Sequence, residues 1–116
     1  MTTTLYGIPN CDTVKKARQW LDSNGIAHAF HDFRKDGLDT AMVKRWLAAT
    51  SLDELVNRRS TTWKSLDDAC KASLDEDNAP ALCVKHETLV KRPVLEYQGK
   101  VYLGFSEKHY EKLFNP

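Results

Sequence analysis

A short apolar strand pattern, Thr4-Leu5-Tyr6-Gly7-Ile8, gives way to the turn Pro9-Asn10-Cys11-Asp12 and then at once to an amphipathic helix. This juncture limits the possible folds more than anything else in the chain. A strand that feeds a helix of about a dozen residues, followed by a second strand pattern, has the length that a parallel β-α-β crossover needs. The first strand is expected over Thr3 to Ile8 and the helix over Asp12 to Ser23. Val14, Ala17 and Leu21 recur at helical spacing as an apolar stripe, while Lys15, Lys16, Gln19 and Asp22 fill the wet face. Asn24-Gly25 supplies the stop. Ile26 to Phe33 alternates apolar and polar, with Ala27, Ala29 and Phe33 expected on the core side and His28, His31 and Asp32 facing water.

The same juncture puts Cys11 in the turn between a buried strand and a helix start. A helix N-terminus carries partial positive charge and backbone N–H groups without intrahelical partners. Both favour a thiolate over a thiol, and the thiolate is the nucleophile. Asp12, beside the thiol, opposes this unless its side chain caps the helix and faces away. Cys11 is the candidate catalytic residue. Thr13, Lys15 and Lys16 follow it in the first turns and are candidates to add a hydroxyl or positive field.

Further on, Asp39 is placed to cap a helix over Thr40 to Ala49, with Met42, Val43, Trp46 and Leu47 on one face. Ser51 or Asp53 caps a short turn through Leu55-Val56. Trp63 to Ala72 is expected as one helix with Leu66, Ala69 and Cys70 inward. Ser73 to Asn78 reads as an acidic connector and Ala79 to His86 as another helix. Strand pattern returns at Leu89 to Tyr97, Gln98-Gly99-Lys100 reads as a hairpin turn, and Val101 to Gly104 is the returning strand. Ser106 opens a last helix through Phe114. The order is β-α-β, helical insertion, β-β-α. A single domain is expected, with a core at about 1–36 and 88–116 and a helical insert at about 37–87.

In this 116-residue chain 17 basic residues nearly balance 16 acidic ones, a net charge of +1. No charge field argues for nucleic acid or a membrane surface as partner. No apolar run approaches the roughly 20 residues of a membrane span. Met1-Thr2-Thr3-Thr4 has neither a basic start nor an apolar stretch, so no secretory signal is expected. The three cysteines, Cys11, Cys70 and Cys83, are sparse and odd in number, as expected for free thiols in a reducing cytoplasm. Cys70 and Cys83 fall on apolar helix faces and are expected to be packed thiols. His28, His31, His86 and His109 share no ligand spacing, so no metal site is expected. No phosphate-cradling glycine loop is present. Trp20, Trp46 and Trp63 are expected to pack rather than stack on bases, and the chain is expected to be a monomer.

Tyr6-Gly7-Ile8-Pro9-Asn10-Cys11-Asp12-Thr13-Val14-Lys15-Lys16-Ala17 resembles the arsenate reductase (ArsC) family, and within it the small YffB-like branch of the Spx/MgsR group. Asn57-Arg58-Arg59-Ser60-Thr61-Thr62-Trp63, Lys91-Arg92-Pro93 and Leu103-Gly104-Phe105-Ser106 resemble the same branch. The resemblance implies an α/β, thioredoxin-like fold with a helical insertion between its two halves. It also implies a glutathione-dependent thiol reductase that uses the single Cys11 thiolate. Arg92 would bind a carboxylate or oxyanion, with Arg59 or Arg58 as a second arginine. Pro93 would be cis and offer backbone groups to an extended thiol ligand. Glutathione would be the co-substrate, glutaredoxin a further partner, and no cofactor would be bound.

Two alternatives follow from the same likeness. One is arsenate reduction with glutathione and glutaredoxin. Against it, the third arginine that the family places after its fourth strand is missing, and Gly104-Phe105 stands there. The other is a non-enzymatic, Spx-like transcriptional regulator that docks on RNA polymerase. Val14 occupies the position where such regulators often carry the second cysteine of a C-x-x-C switch.

Overall fold

The computed structural model describes residues 3–115; Met1, Thr2 and Pro116, at the ends of the expected core, lie outside the described residues. The chain divides into two compact units. One runs through Asp36 and resumes at Arg92; the other is Gly37–Lys91.

Among the described residues the first unit holds one four-stranded mixed sheet. It comprises β1 (Thr4–Gly7), β2 (Ala29–Asp32), β3 (Val94–Tyr97) and β4 (Lys100–Leu103), in the order β2-β1-β3-β4. β1 pairs in parallel with β2 and antiparallel with β3, and β3 pairs antiparallel with β4. The helices of this unit are α1 (Asp12–Ser23) and α7 (Glu107–Phe114). α1 has the span expected of it. Its inward residues Val14, Ala17 and Leu21 are fully buried, joined by Trp20. Asn24 is the C-cap, and Gly25 takes the left-handed conformation (φ 66°) that ends the helix cheaply.

Both sheet faces are buried near the centre, Tyr6 and Val94 on one and a larger cluster on the other. Leu5, Ala17, Trp20, Leu21, Leu95 and Tyr110 are buried together, with Ile26, Phe30, Tyr97, Phe105 and Phe114 packed around them. The β3–β4 hairpin turns through Gln98 (φ 51°) and Gly99 (φ 76°), two successive left-handed residues, as a tight primed turn requires.

β2 departs from expectation in length and in face. It is four residues long, Ala27 and Ala29 are exposed, and Ile26 and Phe30 are the residues that pack on the core. The register explains this. Leu5 pairs with Phe30, and Leu5 is fully buried on the face that α1 covers. Burying a phenylalanine ring on that side gains far more than burying an alanine methyl, and a one-residue shift exchanges the two faces. His28, expected in water, has a side chain only 9% exposed, and its ring Nδ1 lies 2.9 Å from the Ile26 carbonyl oxygen.

The second unit contains α2 (Thr40–Ala49), α3 (Leu52–Leu55), α4 (Thr61–Ser65), α5 (Asp68–Ser73) and α6 (Ala79–Lys85). α2 starts where expected, with the Asp39 carboxylate accepting from the Met42 N–H. α2 and α6 pack together, and Val43, Trp46, Leu55, Val56, Ala79, Cys83, Leu89 and Val90 are its buried apolar residues.

Two expectations fail in this unit. The single helix expected over Trp63 to Ala72 is two, broken at Leu66-Asp67, and Ala69 is exposed. Leu66 is extended, and the Asp67 carboxylate caps a new helix by accepting from the Cys70 N–H at 2.6 Å. An aspartate in this position competes for backbone donors and restarts the helix. The strand expected from Leu89 begins only at Val94. A 3-10 turn occupies Glu87–Leu89, and Val90 makes an isolated antiparallel bridge to Val56, flanked by Asn57 N–H to Leu89 O (2.6 Å) and Lys91 N–H to Leu55 O (2.8 Å).

Candidate active site

The sheet register brings several chain segments to one edge of the first unit. Gly7 ends β1, Asp32 ends the parallel β2, and Tyr6 pairs with Val94, the first residue of β3. The turn to Cys11 and the Arg92-Pro93 pair therefore lie at the same edge. Gly104 joins them, its N–H donating to the Pro93 carbonyl at 2.9 Å. Proline at position 93 has no N–H, so this carbonyl is its one backbone group that bonds to the neighbouring strand end. The Arg92–Pro93 peptide bond is cis.

Cys11 is the N-cap of α1. Its backbone is extended (φ −87°, ψ 126°), its carbonyl accepts from the Lys15 N–H at 2.9 Å, and its own N–H donates to the Ile8 carbonyl at 3.1 Å. Lys15 makes the first intrahelical bond, so the N–H groups of Asp12, Thr13 and Val14 have no carbonyl partner within the helix. The Cys11 side chain makes no capping hydrogen bond, and the residue is half-buried. The residue thus stands at a helix start whose first N–H groups lack helical partners, and it is partly exposed. Asp12 is exposed and Thr13 half-buried in the same first turn.

Helix α1 is held against β1 at its Cys11 end by one close approach. A Cβ on Gly7 would lie 2.7 Å from Val14 Cγ2 and 3.3 Å from Cγ1. Val14 is fully buried, so the third residue beyond Cys11 is a packing contact with no exposed group.

Arg92 is half-buried, and its Nε is a buried donor with no hydrogen-bond partner among the described residues. Such a donor is costly to leave unpaired. Arg58 and Arg59 belong to the second unit, in the exposed turn between α3 and α4. Arg58 is already engaged: its Nη1 meets the Asp53 carboxylate at 2.8 Å, and its guanidinium lies 5.4 Å from the Trp63 ring centroid. The Arg59 guanidinium has no partner among the described residues; its backbone N–H donates to Asn57 Oδ1 at 3.1 Å. Of the two arginines, Arg59 is the one left available.

The other thiols differ from each other. Cys83 is fully buried, and that burial pushes its thiol up to about 11. Cys70 is half-buried and lines a mostly apolar cavity of about 270 Å³ with Ala81, Leu82 and Lys85, so it is less packed than its helical position suggested. No group of three His, Cys, Asp or Glu side chains that could hold a metal occurs among the described residues, and none of their helices is long and apolar enough to cross a membrane. Phe105, which stands where the family's third arginine is missing, lies at this same edge just after Gly104, half-buried with its ring edge-on to Tyr110 at 4.7 Å.

The chain is 47% identical over 111 residues to an uncharacterized protein of Haemophilus influenzae, covering 96% of this chain and 97% of that one. It matches the solved structure of the YffB protein with a TM-score of 0.91 and 43% identity, covering 96% of this chain and 97% of that chain. It is 28% identical to the global transcriptional regulator Spx of Listeria innocua, over 90% of this chain and 80% of the regulator. The fold is thus the α/β, thioredoxin-like fold of these neighbours. The ArsC family model matches residues 6–113, from the strand before Cys11 to the end of α7, and the chain belongs to the ArsC family.

Proposed function

We propose that this protein is a thiol–disulfide reductase that acts through Cys11 alone and takes its electrons from glutathione. The observation that carries the reading is the state of Cys11: a half-buried N-cap residue, with no capping hydrogen bond of its own, at a helix start whose first-turn N–H groups lack intrahelical partners. Those donors are available to a sulfur anion. The Cys11 thiolate attacks one sulfur of a disulfide R–S–S–R′, forming Cys11–S–S–R and releasing R′–S⁻. One glutathione thiolate attacks the Cys11 sulfur, releases R–S⁻ and leaves Cys11 glutathionylated. A second glutathione thiolate then forms oxidised glutathione and regenerates the Cys11 thiolate. Two glutathione thiolates are oxidised for each disulfide reduced.

Val14 supports the one-cysteine route, because the position that a resolving thiol would take is filled by a buried valine. Arg92 supports anion binding at this edge: its unpaired buried Nε suits the carboxylate of glutathione. Pro93 holds the backbone beside it, and Thr13 offers its hydroxyl. Glutaredoxin would serve as an alternative donor.

The test is steady-state reduction of a small disulfide with glutathione, coupled to glutathione reductase. Wild-type protein turns over and Cys11→Ser does not; equal rates in the two would overturn the proposal. Arsenate in the same assay separates the closest rival, since arsenate-dependent oxidation of glutathione, lost in Cys11→Ser, would make the oxyanion the substrate. The likeness to Spx supports a second reading, a transcriptional regulator. Reproducible recovery of RNA polymerase on the immobilised protein, with no disulfide turnover, would favour it.

A further inference from the structure

A groove of about 580 Å³ runs along α1 on the first unit, within the size range of ligand clefts. One wall is a single helix face, Lys16, Gln19, Trp20 and Ser23. The other is the segment that follows β4, with Phe105 and Glu107. Trp20 and Phe105 are its apolar side chains, and both rings pack edge-on against the buried Tyr110. The groove therefore rests on the core. Lys16 and Glu107 are exposed on facing walls, and neither has an ion-pair partner among the described residues.

Distance relates the groove to the thiol. Lys16 is five residues from Cys11 on α1 and Ser23 is twelve, which at about 1.5 Å per residue puts the groove at roughly 7.5 to 18 Å along the helix from the nucleophile. Glutathione, whose γ-glutamyl link adds two carbons to a tripeptide's length of about 10 Å, spans roughly 13 Å at most, with its sulfur near the middle. Glutathione joined to Cys11 leaves the far half of the groove empty. An extended segment of five or six residues, at about 3.3 Å each, reaches its end.

We infer that the groove is a peptide-docking subsite and that the disulfide reduced at Cys11 belongs to a polypeptide. For its chemistry this rests on the thiol-reductase reading; for its location it rests on the groove alone. The segment beside the oxidised cysteine lies along α1. An apolar side chain sits on Phe105 and the rim of Trp20, an acidic side chain meets Lys16, and a basic one meets Glu107. A free anion is a poor occupant, because Glu107 repels it. The attack is the exchange written above, with R the bound polypeptide: its sulfur joins Cys11, and its partner thiolate leaves.

The test has two arms on the full chain, with the acetylated octapeptide Ala-Cys-Ala-Leu-Glu-Leu-Lys-Ala as probe. In the first, the reduced peptide is titrated into Cys11→Ser protein and backbone amide shifts are followed by NMR. Saturable shifts centred on Lys16–Ser23 and Phe105–Glu107 are expected, weakened at least fivefold by Lys16→Glu. Phe105→Ala is a second variant, and the exposed Lys16 keeps the test intact if Phe105→Ala folds poorly. Absence of saturable shifts at the groove overturns the inference whatever the turnover.

In the second arm, wild-type protein reduces the mixed disulfide of the same peptide and a small symmetrical disulfide. The ratio of kcat/KM, peptide over small disulfide, should be at least tenfold and should fall at least fivefold in Lys16→Glu. A ratio near one that Lys16→Glu leaves unmoved overturns the inference. Groove shifts without turnover on either substrate would overturn the reductase reading and leave a peptide-binding groove standing.

Discussion

Gly7→Ala tests the contact that sets the position of the thiol. The added Cβ would lie 2.7 Å from Val14 Cγ2, inside the range that real Cβ contacts avoid, and 3.3 Å from Cγ1. Val14 cannot give way easily. It is fully buried, and a valine in a helix has one strongly preferred rotamer. The strain must go into the backbone at the junction of β1 and α1, and overpacking of this kind costs about 1–3 kcal/mol. Val14→Ala alone removes two buried methyl carbons, a loss of about 2 kcal/mol once the cavity is included. In the double variant the new methyl enters the space that the valine vacates, so the two losses should overlap by about 1–3 kcal/mol rather than add.

Urea unfolding of the four proteins of this cycle measures the coupling directly. The rate of Cys11 alkylation at neutral pH reports whether the helix start has moved, and Gly7→Ala should change that rate whereas the double variant restores it. Additivity within about 0.5 kcal/mol, the level of independent sites, would refute the reasoning.

Three other outcomes follow from single side chains. Cys11→Ser should raise stability by about 0.5–1 kcal/mol while abolishing turnover, because serine at an N-cap gains the hydrogen bond that Cys11 does not make; a lower urea midpoint would contradict this. Tyr110→Phe should leave stability unchanged or raise it by about 1 kcal/mol, since the fully buried hydroxyl has no hydrogen-bond partner among the described residues, and a clear loss in thermal melting would reveal a partner. Burial raises the Cys83 thiol from its ordinary 9.0 to about 11, so the unfolded chain gives up this proton first. The resulting stabilisation is complete below pH 9 and is lost as pH rises through about 11, with a total of roughly 3 kcal/mol for a shift of about two units. Urea midpoints between pH 8 and 11.5 should fall more steeply for wild type than for Cys83→Ala, and parallel curves would refute the assignment.

Local chemistry made much of the first unit legible in advance. The span of α1 follows from a turn at one end, Asn24-Gly25 at the other and a 3.6-residue stripe between. The hairpin follows from Gln98-Gly99, where the backbone must turn left-handed twice. The Asp39, Ser51 and Ser106 caps were readable because each side chain binds a backbone N–H three residues on. Cys11 was legible for the same reason: its place relative to a helix start is a matter of sequence distance.

What escaped the sequence depends on non-local partners. Alternation in Ile26 to Phe33 is real, but the face that turns inward is chosen by the pairing of Phe30 with the buried Leu5, which no local pattern contains. The break at Leu66-Asp67 turns on one carboxylate winning a backbone donor from a continuous helix, a contest between terms of similar size. Strand pairing, not motif spacing, brings Gly7, Pro93 and Gly104 to one sheet edge, because β3 inserts beside β1 from ninety residues away. The groove along α1 arises in the same way, from Trp20 and Phe105 meeting over one core tyrosine. Sequence determined where Cys11 stands relative to the start of α1, since helix ends and caps are short-range physics. Tertiary structure decided what stands around it, since burial and pairing are properties of segments far apart in the chain.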